Sequence, residues 1–179
     1  PGVDEPPVSL FLRLAVPADP ELDADILRKH GFKPAPVYGS QLQTAALPAA
    51  KPEADLIVEW TPVKETLADG TVVELRKPVY RIENPNYGPL PEDLLVSPRV
   101  APQMIGMGLL EAIPIEDLQA LQDTDDADGN GISGKLNQVW DLATEQTVPG
   151  RFGWKAAEPD VHQQSMGAFA GDMGLTSTL

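Results

Sequence analysis

Hydrophobic and polar positions alternate regularly in one stretch of the chain, residues 55–83. Apolar side chains recur at every second position across 56–60, with polar or outward-facing residues between them. A period of two is typical of a strand that buries one face. Asp69-Gly70 interrupts the pattern near its centre, and this dipeptide favours a tight hairpin turn. We therefore predict an antiparallel hairpin, or a small meander in which residues 79–82 add a third strand.

Helical periodicity elsewhere is confined to short segments. Ser9–Leu14 indicates a short extended segment, whereas the other apolar groups are spaced by three and four positions. Ile105, Leu109 and Ile113 form the predicted buried face of one helix. Gly31 and Gly174 stand where a glycine ends a helix. Helices are predicted over 23–30, over one or two turns of 38–47, from about 98 or 102 to 113, over 115–121, and from 159 to 173.

The fold class follows from the shortness of these elements. The chain has 179 residues, of which 19 are proline and 15 are glycine, so we expect a loop-rich domain. We predict an α+β fold with short helices, long irregular loops and one small antiparallel hairpin or meander. Residues 1–179 would form a single domain or a fragment. Within it, 55–83 is the β subregion, and 97–179 is a helical part that contains an acidic loop at 123–137.

Charge and cysteine content exclude several classes of function. With 13 basic and 27 acidic residues, the formal charge is -14, which argues against nucleic-acid binding. No apolar run is long enough for a membrane span. Cysteine is absent, so disulfides, thiolate zinc sites, cysteine nucleophiles and covalent c-type haem attachment are excluded within this stretch. Only His30 and His162 could supply imidazole ligands.

The acidic loop at 123–137 carries four aspartates and three glycines in close succession. Neighbouring carboxylates repel one another unless a cation lies between them. The spacing matches the first half of an EF-hand calcium loop. The predicted ligands are Asp126, Asp128, Asn130, the carbonyl of Ile132, and Asn137 in place of the usual glutamate. An ordinary solvated turn has a similar composition, so both interpretations stay open.

Residues 150–156 combine two aromatic and two cationic side chains with glycines. Arg151, Trp154 and Lys155 have the chemistry to hold an anionic or planar group. A tight structural turn is the alternative. In the final helix, Gln164 and Asp172 lie eight residues apart, about 12 Å along the axis, so they could flank a site without touching.

Several segments, taken together and in order, resemble a family of bacterial di-haem c-type oxidoreductases. Its members are often labelled thiol oxidoreductases and are related to di-haem cytochrome c peroxidases. Residues 38–43 and 69–78 are similar to the part of the family that precedes these segments. The segments are Ser-Pro-Arg-Val-Ala-Pro at 97–102, Gly-Met-Gly-Leu-Leu-Glu-Ala-Ile at 106–113, Asp-Ala-Asp-Gly-Asn-Gly-Ile-Ser-Gly at 126–134, Gly-Arg-Phe-Gly-Trp-Lys-Ala at 150–156, Gln-Gln at 163–164 and Gly-Asp-Met-Gly-Leu-Thr-Ser at 171–177.

The resemblance implies a parent protein that is larger than this chain. Family members carry two Cys-x-x-Cys-His haem motifs, and this chain has neither. It resembles the segment between them, so we expect it to be inactive alone. The parent would carry haem c, reside in the periplasm, and pass electrons between a donor protein or small redox substrate and peroxide or a thiol. A non-enzymatic, calcium-stabilised extracytoplasmic binding module is the alternative. The oligomeric state stays open.

The resemblance also implies roles for individual residues in the parent. Gln164 and Asp172 would assist proton movement at the peroxidatic haem. Haem-bordering positions are assigned to Arg151, Trp154, Lys155 and Met107. Met107, Met166 and Met173 are possible axial ligands, and packing is the alternative role for each of them.

Overall fold

The computed structural model describes residues 7–178 and confirms the α+β class, with 18% of residues in helices and 31% in strands. Residues 1–6 and Leu179, at the ends of the predicted span, lie outside the described residues. The strands are β1 (Leu10–Ala15), β2 (Asp55–Thr66), β3 (Val72–Glu83), β4 (Leu95–Val100), β5 (Gln138–Asp141) and β6 (Gln146–Pro149). The helices are α1 (Ala24–His30), α2 (Met107–Glu111), α3 (Ile115–Ala120) and α4 (Val161–Met173).

The described strands form three separate antiparallel pairs: β1 with β4, β2 with β3, and β5 with β6. The chain divides into two compact units. The first consists of the residues up to Pro17 together with Pro34–Ala101, and the second of Ala18–Lys33 together with the residues from Pro102. No helix among residues 7–178 has the length and apolar character needed to cross a membrane.

The first unit is built around β1. One edge of β1 pairs with β4, and its other edge bonds to a short extended segment. There, the N–H of Leu14 donates to the carbonyl of Ser40, and the N–H of Leu42 donates to the carbonyl of Leu12. Because side chains alternate along a strand, Leu12 and Leu14 share the face that is buried. The buried cluster comprises Leu12, Leu14, Val16, Ala35, Tyr38, Leu42 and Ala54.

The predicted hairpin is present as β2 and β3, which pair along their whole length. Five residues, Leu67–Thr71, connect the strands, and Gly70 has a φ of 86°. Residues 79–82 are the second half of β3, so the pair has no third strand. Leu56, Tyr80 and Ile82 pack on the buried cluster. The outer half of the hairpin is not part of that cluster.

Two predicted helices are wrong. Residues 38–47 form no helix, because their backbone groups bond to β1 instead. The helix predicted from about 98 or 102 to 113 is reduced to the five residues of α2. Residues 95–100 form β4, and Gly106, at a φ of 86°, cannot continue a right-handed helix. Two of the three residues of its predicted buried face are exposed, Ile105 at 91% and Leu109 at 80%, whereas Ile113 is half-buried.

The second unit contains the remaining short elements. α1 and α4 end at Gly31 and Gly174, both in the left-handed conformation, as the sequence predicts. The Arg28 guanidinium of α1 lies 3.9 Å from the ring centroid of Trp140 in β5, which joins these two elements through a cation–π contact. The buried apolar side chains among the described residues of this unit are Met107, Val139 and Phe152.

Candidate functional site

All the predicted site residues lie in the second unit, and the acidic loop is the first element of the site. The loop is closed by a pair of backbone hydrogen bonds of 2.9 Å between Asp123 and Gly134. Inside this closure, Asp126 has a φ of 51° and its carboxylate accepts the N–H of Gly131. The Asp123 carboxylate accepts the N–H of Ala127 at 2.8 Å. The loop is therefore folded back on its own aspartates.

Three carboxylates converge in this loop. Asp123, Asp126 and Asp128 each offer one oxygen, and these oxygens lie within 4.8 Å of one another. Asp123 is absent from the predicted ligand set, because the EF-hand register begins at Asp126. The sequence does contain a signal for Asp123, which lies three residues before Asp126. One turn of the chain is enough to bring it back to the cluster. Hard cations such as calcium prefer such oxygen ligands.

The other predicted ligands occupy different positions. The side chain of Asn130 bonds to Asp128 at 2.8 Å and accepts the N–H of Ile132 at 2.8 Å, which forms a local turn. Asn137 lies outside the loop closure. Its Nδ2 donates to the carbonyls of Lys155 and Ala156, both at 3.1 Å. Asn137 therefore connects the acidic loop to residues 150–156.

Residues 150–156 form a tight turn whose start has no room for a side chain. A Cβ on Gly150 would overlap the carbonyl of Ala156 and would lie 2.8 Å from Cγ1 of Val139. The N–H of Gly150 donates to the carbonyl of Asn137 at 2.9 Å. Phe152 is buried beneath the turn. Position 150 therefore requires glycine, because the backbone of Ala156 approaches it closely. The sequence alone does not distinguish this requirement from the glycine of a flexible loop.

Arg151 supports α2. Its Nη1 donates to the carbonyls of Leu110, Glu111 and Ile113, at 3.2, 2.9 and 2.7 Å. Leu110 and Glu111 are the last residues of α2 and Ile113 follows two positions later, so Arg151 binds the C-terminal end of the helix, where a cation complements the helix dipole. Trp154 and Lys155, in contrast, are exposed on the same turn. The turn therefore combines a supporting arginine with two accessible side chains.

The first turn of α4 is attached to its surroundings by side-chain hydrogen bonds. Asp160 is the N-cap, and its carboxylate accepts the N–H of Gln163 at 2.7 Å. The carboxylate of Glu111 accepts the N–H of Val161 at 2.9 Å. Arg151 therefore caps α2, and Glu111, the last residue of α2, caps α4. These two successive contacts are a supporting feature that the motif pattern alone does not reveal.

Two neighbouring glutamines of α4 have different surroundings. The amide of Gln163 donates to the carbonyl of Trp140 and to the carboxylate of Glu158, and it accepts the N–H of Leu142. Gln164 is half-buried, and its Oε1 lies 3.5 Å from the position that a Cβ on Gly153 would occupy. Gln164 therefore lies against the turn at 150–156.

The structure does not bring Asp172 to Gln164. Asp172 is exposed near the end of α4, about 12 Å along the axis from Gln164. Of the methionines considered as ligands, Met107 is buried at the start of α2, Met166 is half-buried in α4, and Met173 is exposed at the end of α4. These residues do not converge on a single point.

Covalently attached haem does not fit the residues of this chain. Attachment through thioether bonds requires cysteines, and the sequence has none. His30 and His162 are both exposed, and neither follows a Cys-x-x-Cys pair. Any haem that contacted Trp154, Lys155 or Gln164 would be carried by other residues.

The folded chain combines short helices and small antiparallel sheets, and its second unit carries the segments at 106–113, 126–134, 150–156, 163–164 and 171–177. The sequence profile described as "Di-haem oxidoreductase, putative peroxidase" matches residues 42–179, more than three quarters of the chain. The chain belongs to this di-haem oxidoreductase family, as the resemblance predicts. No curated protein and no solved structure shows a significant match.

Proposed function

We propose that this chain is the cysteine-free middle segment of a periplasmic di-haem peroxidase-like oxidoreductase. The observation that carries the proposal is family membership over residues 42–179, combined with the complete absence of cysteine. A di-haem protein needs attachment sites, so its haems would be carried by other parts of the parent. The chain alone would be catalytically inactive, and the parent would reduce peroxide or exchange electrons with a thiol.

In this proposal the second unit supplies a support and a small number of accessible polar groups. The side chains of Arg151, Glu111 and Gln163 form internal hydrogen bonds. Trp154 and Lys155 are exposed on the turn, and Gln164 lies beside it. We assign the haem-bordering role to these three residues. Arg151 and Met107 would act indirectly, by fixing the turn and α2.

The test is made on the parent polypeptide that contains this chain. We expect a Soret band and peroxide-dependent oxidation of an electron donor. Gln164→Ala should lower the peroxidase kcat while the haem content stays unchanged, because Gln164 lies beside the turn. His162→Ala, an exposed change on the same helix, is the matched control and should leave kcat unaltered. A parent without haem, or a haem protein that reacts with neither peroxide nor a thiol, would refute the proposal.

A calcium ion in the acidic loop is a second proposal. Asp123, Asp126 and Asp128 would bind it, with a structural role that holds the loop beside the turn at 150–156. The observation that favours it is the convergence of three carboxylate oxygens within 4.8 Å. A cation there would offset their mutual repulsion.

Thermal unfolding with calcium and with a chelator tests this second proposal. A ligand that binds only the folded state raises stability by about 2.7 kcal/mol at a hundred times its Kd. We expect calcium to raise the Tm of the wild-type chain, and Asp128→Ala to abolish that increase. Asp117→Ala, an exposed change on α3, is the control and should keep it. An unchanged wild-type Tm would identify a plain surface loop. A calcium response in a parent without haem would favour the binding-module alternative.

A further inference from the structure

Sulfur in this chain occurs only as methionine. There are four methionines and no cysteine, so the thioethers are the softest nucleophiles present. A thioether needs no deprotonation to react with an oxidant, unlike a thiol, whose thiolate is the reactive form. Its reactivity therefore depends mainly on whether an oxidant can reach the sulfur atom.

The first two methionines differ sharply in access. Met104 precedes α2 and is 48% exposed, whereas Met107 begins α2 and is 9% exposed. The N–H of Met107 approaches the carbonyl of Met104 at 3.4 Å, so the two residues share one turn of chain. They have nearly the same sequence surroundings and differ mainly in burial.

The other two methionines form a second pair on α4. Met173, the last residue of the helix, is 61% exposed, whereas Met166 is half-buried. Seven residues separate them, close to two helical turns, so both project from a similar side of the helix. In each pair, one methionine is exposed and the other is more buried.

We propose that Met104 and Met173 are modification sites for hydrogen peroxide and small hydroperoxides. The peroxide O–O bond breaks and one oxygen atom forms a bond to the methionine sulfur; the other leaves as water from hydrogen peroxide, or as an alcohol from an organic hydroperoxide. The sulfide is oxidised by two electrons to the sulfoxide, and the peroxide is reduced by two electrons. The reaction needs no haem, so it is independent of the proposed function.

Oxidation at Met104 changes a distinctive surface. Residues 101–110 contain no charged side chain, and Ile105 and Leu109 are exposed within them. A sulfoxide places a strong dipole in this apolar segment. Peroxide would thus make the segment more polar, and methionine sulfoxide reductases would reverse the change.

The experiment treats the folded 179-residue chain with hydrogen peroxide and follows each sulfur by mass spectrometry. Trypsin leaves Met104 and Met107 together in peptide 100–135, and Met166 and Met173 together in peptide 156–179, because neither peptide contains an internal lysine or arginine. Fragment ions locate the added oxygen. We expect Met104 to react about fivefold faster than Met107, in proportion to exposures of 48% and 9%, and Met173 to react faster than Met166.

Two controls make the result decisive. In concentrated urea, the rate difference within each pair should disappear, because burial no longer protects either sulfur. Met104→Leu and Met173→Leu should each reduce the rapid uptake from two oxygen atoms per chain to one. Equal rates within the pairs of the folded chain, faster reaction of Met107 or Met166, or differences that persist in urea would overturn the proposal.

Discussion

Different kinds of interaction stabilise the interior of each of the two units. In the first, seven buried side chains form one continuous apolar cluster around β1. In the second, the described buried apolar residues are Met107, Val139 and Phe152. There, the prominent connections are hydrogen bonds from polar side chains to backbone groups, such as those of Arg151 and Gln163.

Each unit should therefore be vulnerable to a different kind of substitution. An apolar core loses stability when buried volume is removed, because the transfer energy is lost and a cavity remains. A unit that depends on polar contacts and close backbone approach is sensitive to changes that remove one hydrogen-bond partner or add one methyl group. Each prediction below tests one side of the comparison.

The largest effect is expected in the first unit, for Leu14→Ala. Leu14 has no exposed surface and belongs to the buried cluster. Its truncation should cost about 3–5 kcal/mol of unfolding free energy. Urea titration, with Trp60 as the fluorescent reporter of this unit, measures the loss.

Leu47→Ala is the matched control for Leu14→Ala, since Leu47 is 79% exposed. It should change the free energy of unfolding by less than about 0.5 kcal/mol. Hydrogen exchange should show that Leu14→Ala accelerates exchange in the first unit. Equal acceleration of hydrogen exchange in the second unit would contradict the prediction that Leu14 stabilises mainly the first unit.

The next largest effect is expected in the second unit, for Gly150→Ala. This substitution adds a methyl group, whereas Leu14→Ala removes buried volume. That group would overlap the carbonyl of Ala156, so the turn must shift. Overpacking of this kind should cost about 2–3 kcal/mol. The measurement is urea unfolding reported by Trp140, or by Trp154 on the turn itself.

Gly167→Ala provides a control of opposite sign. Gly167 lies inside α4, and an added Cβ would meet no atom within 4 Å. Alanine should therefore stabilise the helix by about 0.5–1 kcal/mol. If Gly150→Ala were as harmless as Gly167→Ala, close backbone approach would not be a determinant of the second unit.

A smaller loss is expected for Arg151→Met, which keeps an apolar stem but removes the guanidinium. The carbonyls of Leu110, Glu111 and Ile113 would lose their shared donor. Hydrogen bonds to charged groups contribute about 1.5–3 kcal/mol, and partial exposure places this contact near the lower limit. Hydrogen exchange in α2 should accelerate. Lys155→Met, on the exposed part of the same turn, should leave α2 unchanged.

Sequence pattern predicted those parts of the fold that depend on local chemistry. The hairpin follows from alternation and Asp69-Gly70, and the ends of α1 and α4 follow from Gly31 and Gly174. The failures concern partners that are distant in sequence. The helix predicted from about 98 or 102 overlaps β4, whose residues pair with residues of β1 that lie eighty to ninety positions away. Tertiary pairing overrides the local preference there.

The candidate site was predicted in part, for a similar reason. The acidic loop and the glycine-rich turn are contiguous motifs, so composition reveals them. Asp123 was missed because the EF-hand pattern fixes a register that excludes it, whereas the loop closure with Gly134 brings it in. The contacts of Arg151 with α2 were also missed, because they join residues about forty positions apart. To assign a ligand role or a supporting role to such side chains, the three-dimensional arrangement must be known.

The smallest predicted effect is a pH dependence of the stability of the second unit. Among the described aspartates with a lowered pKa, Asp23, Asp25 and Asp141 lie in the second unit and Asp69 in the first. The hydroxyl of Thr144 donates to Asp141 at 2.7 Å and is the main cause that lowers the pKa of this carboxyl below 3.8. The ionised form is thus favoured in the folded state.

Thr144→Val tests this contribution. A lowered pKa stabilises the fold above the unfolded value near 3.8, and the stabilisation is lost as pH falls through the lower folded value. Removing the hydroxyl should raise the pKa of Asp141 towards its ordinary value. The variant should therefore be less stable than wild type near neutral pH, and the two should converge in strong acid. Thr147→Val, on β6 opposite Trp140, should run parallel to wild type at every pH. If the stability of Thr144→Val also ran parallel to that of wild type at every pH, the hydroxyl would not stabilise the Asp141 carboxylate. This hydrogen bond would then not be one of the polar contacts that stabilise the second unit.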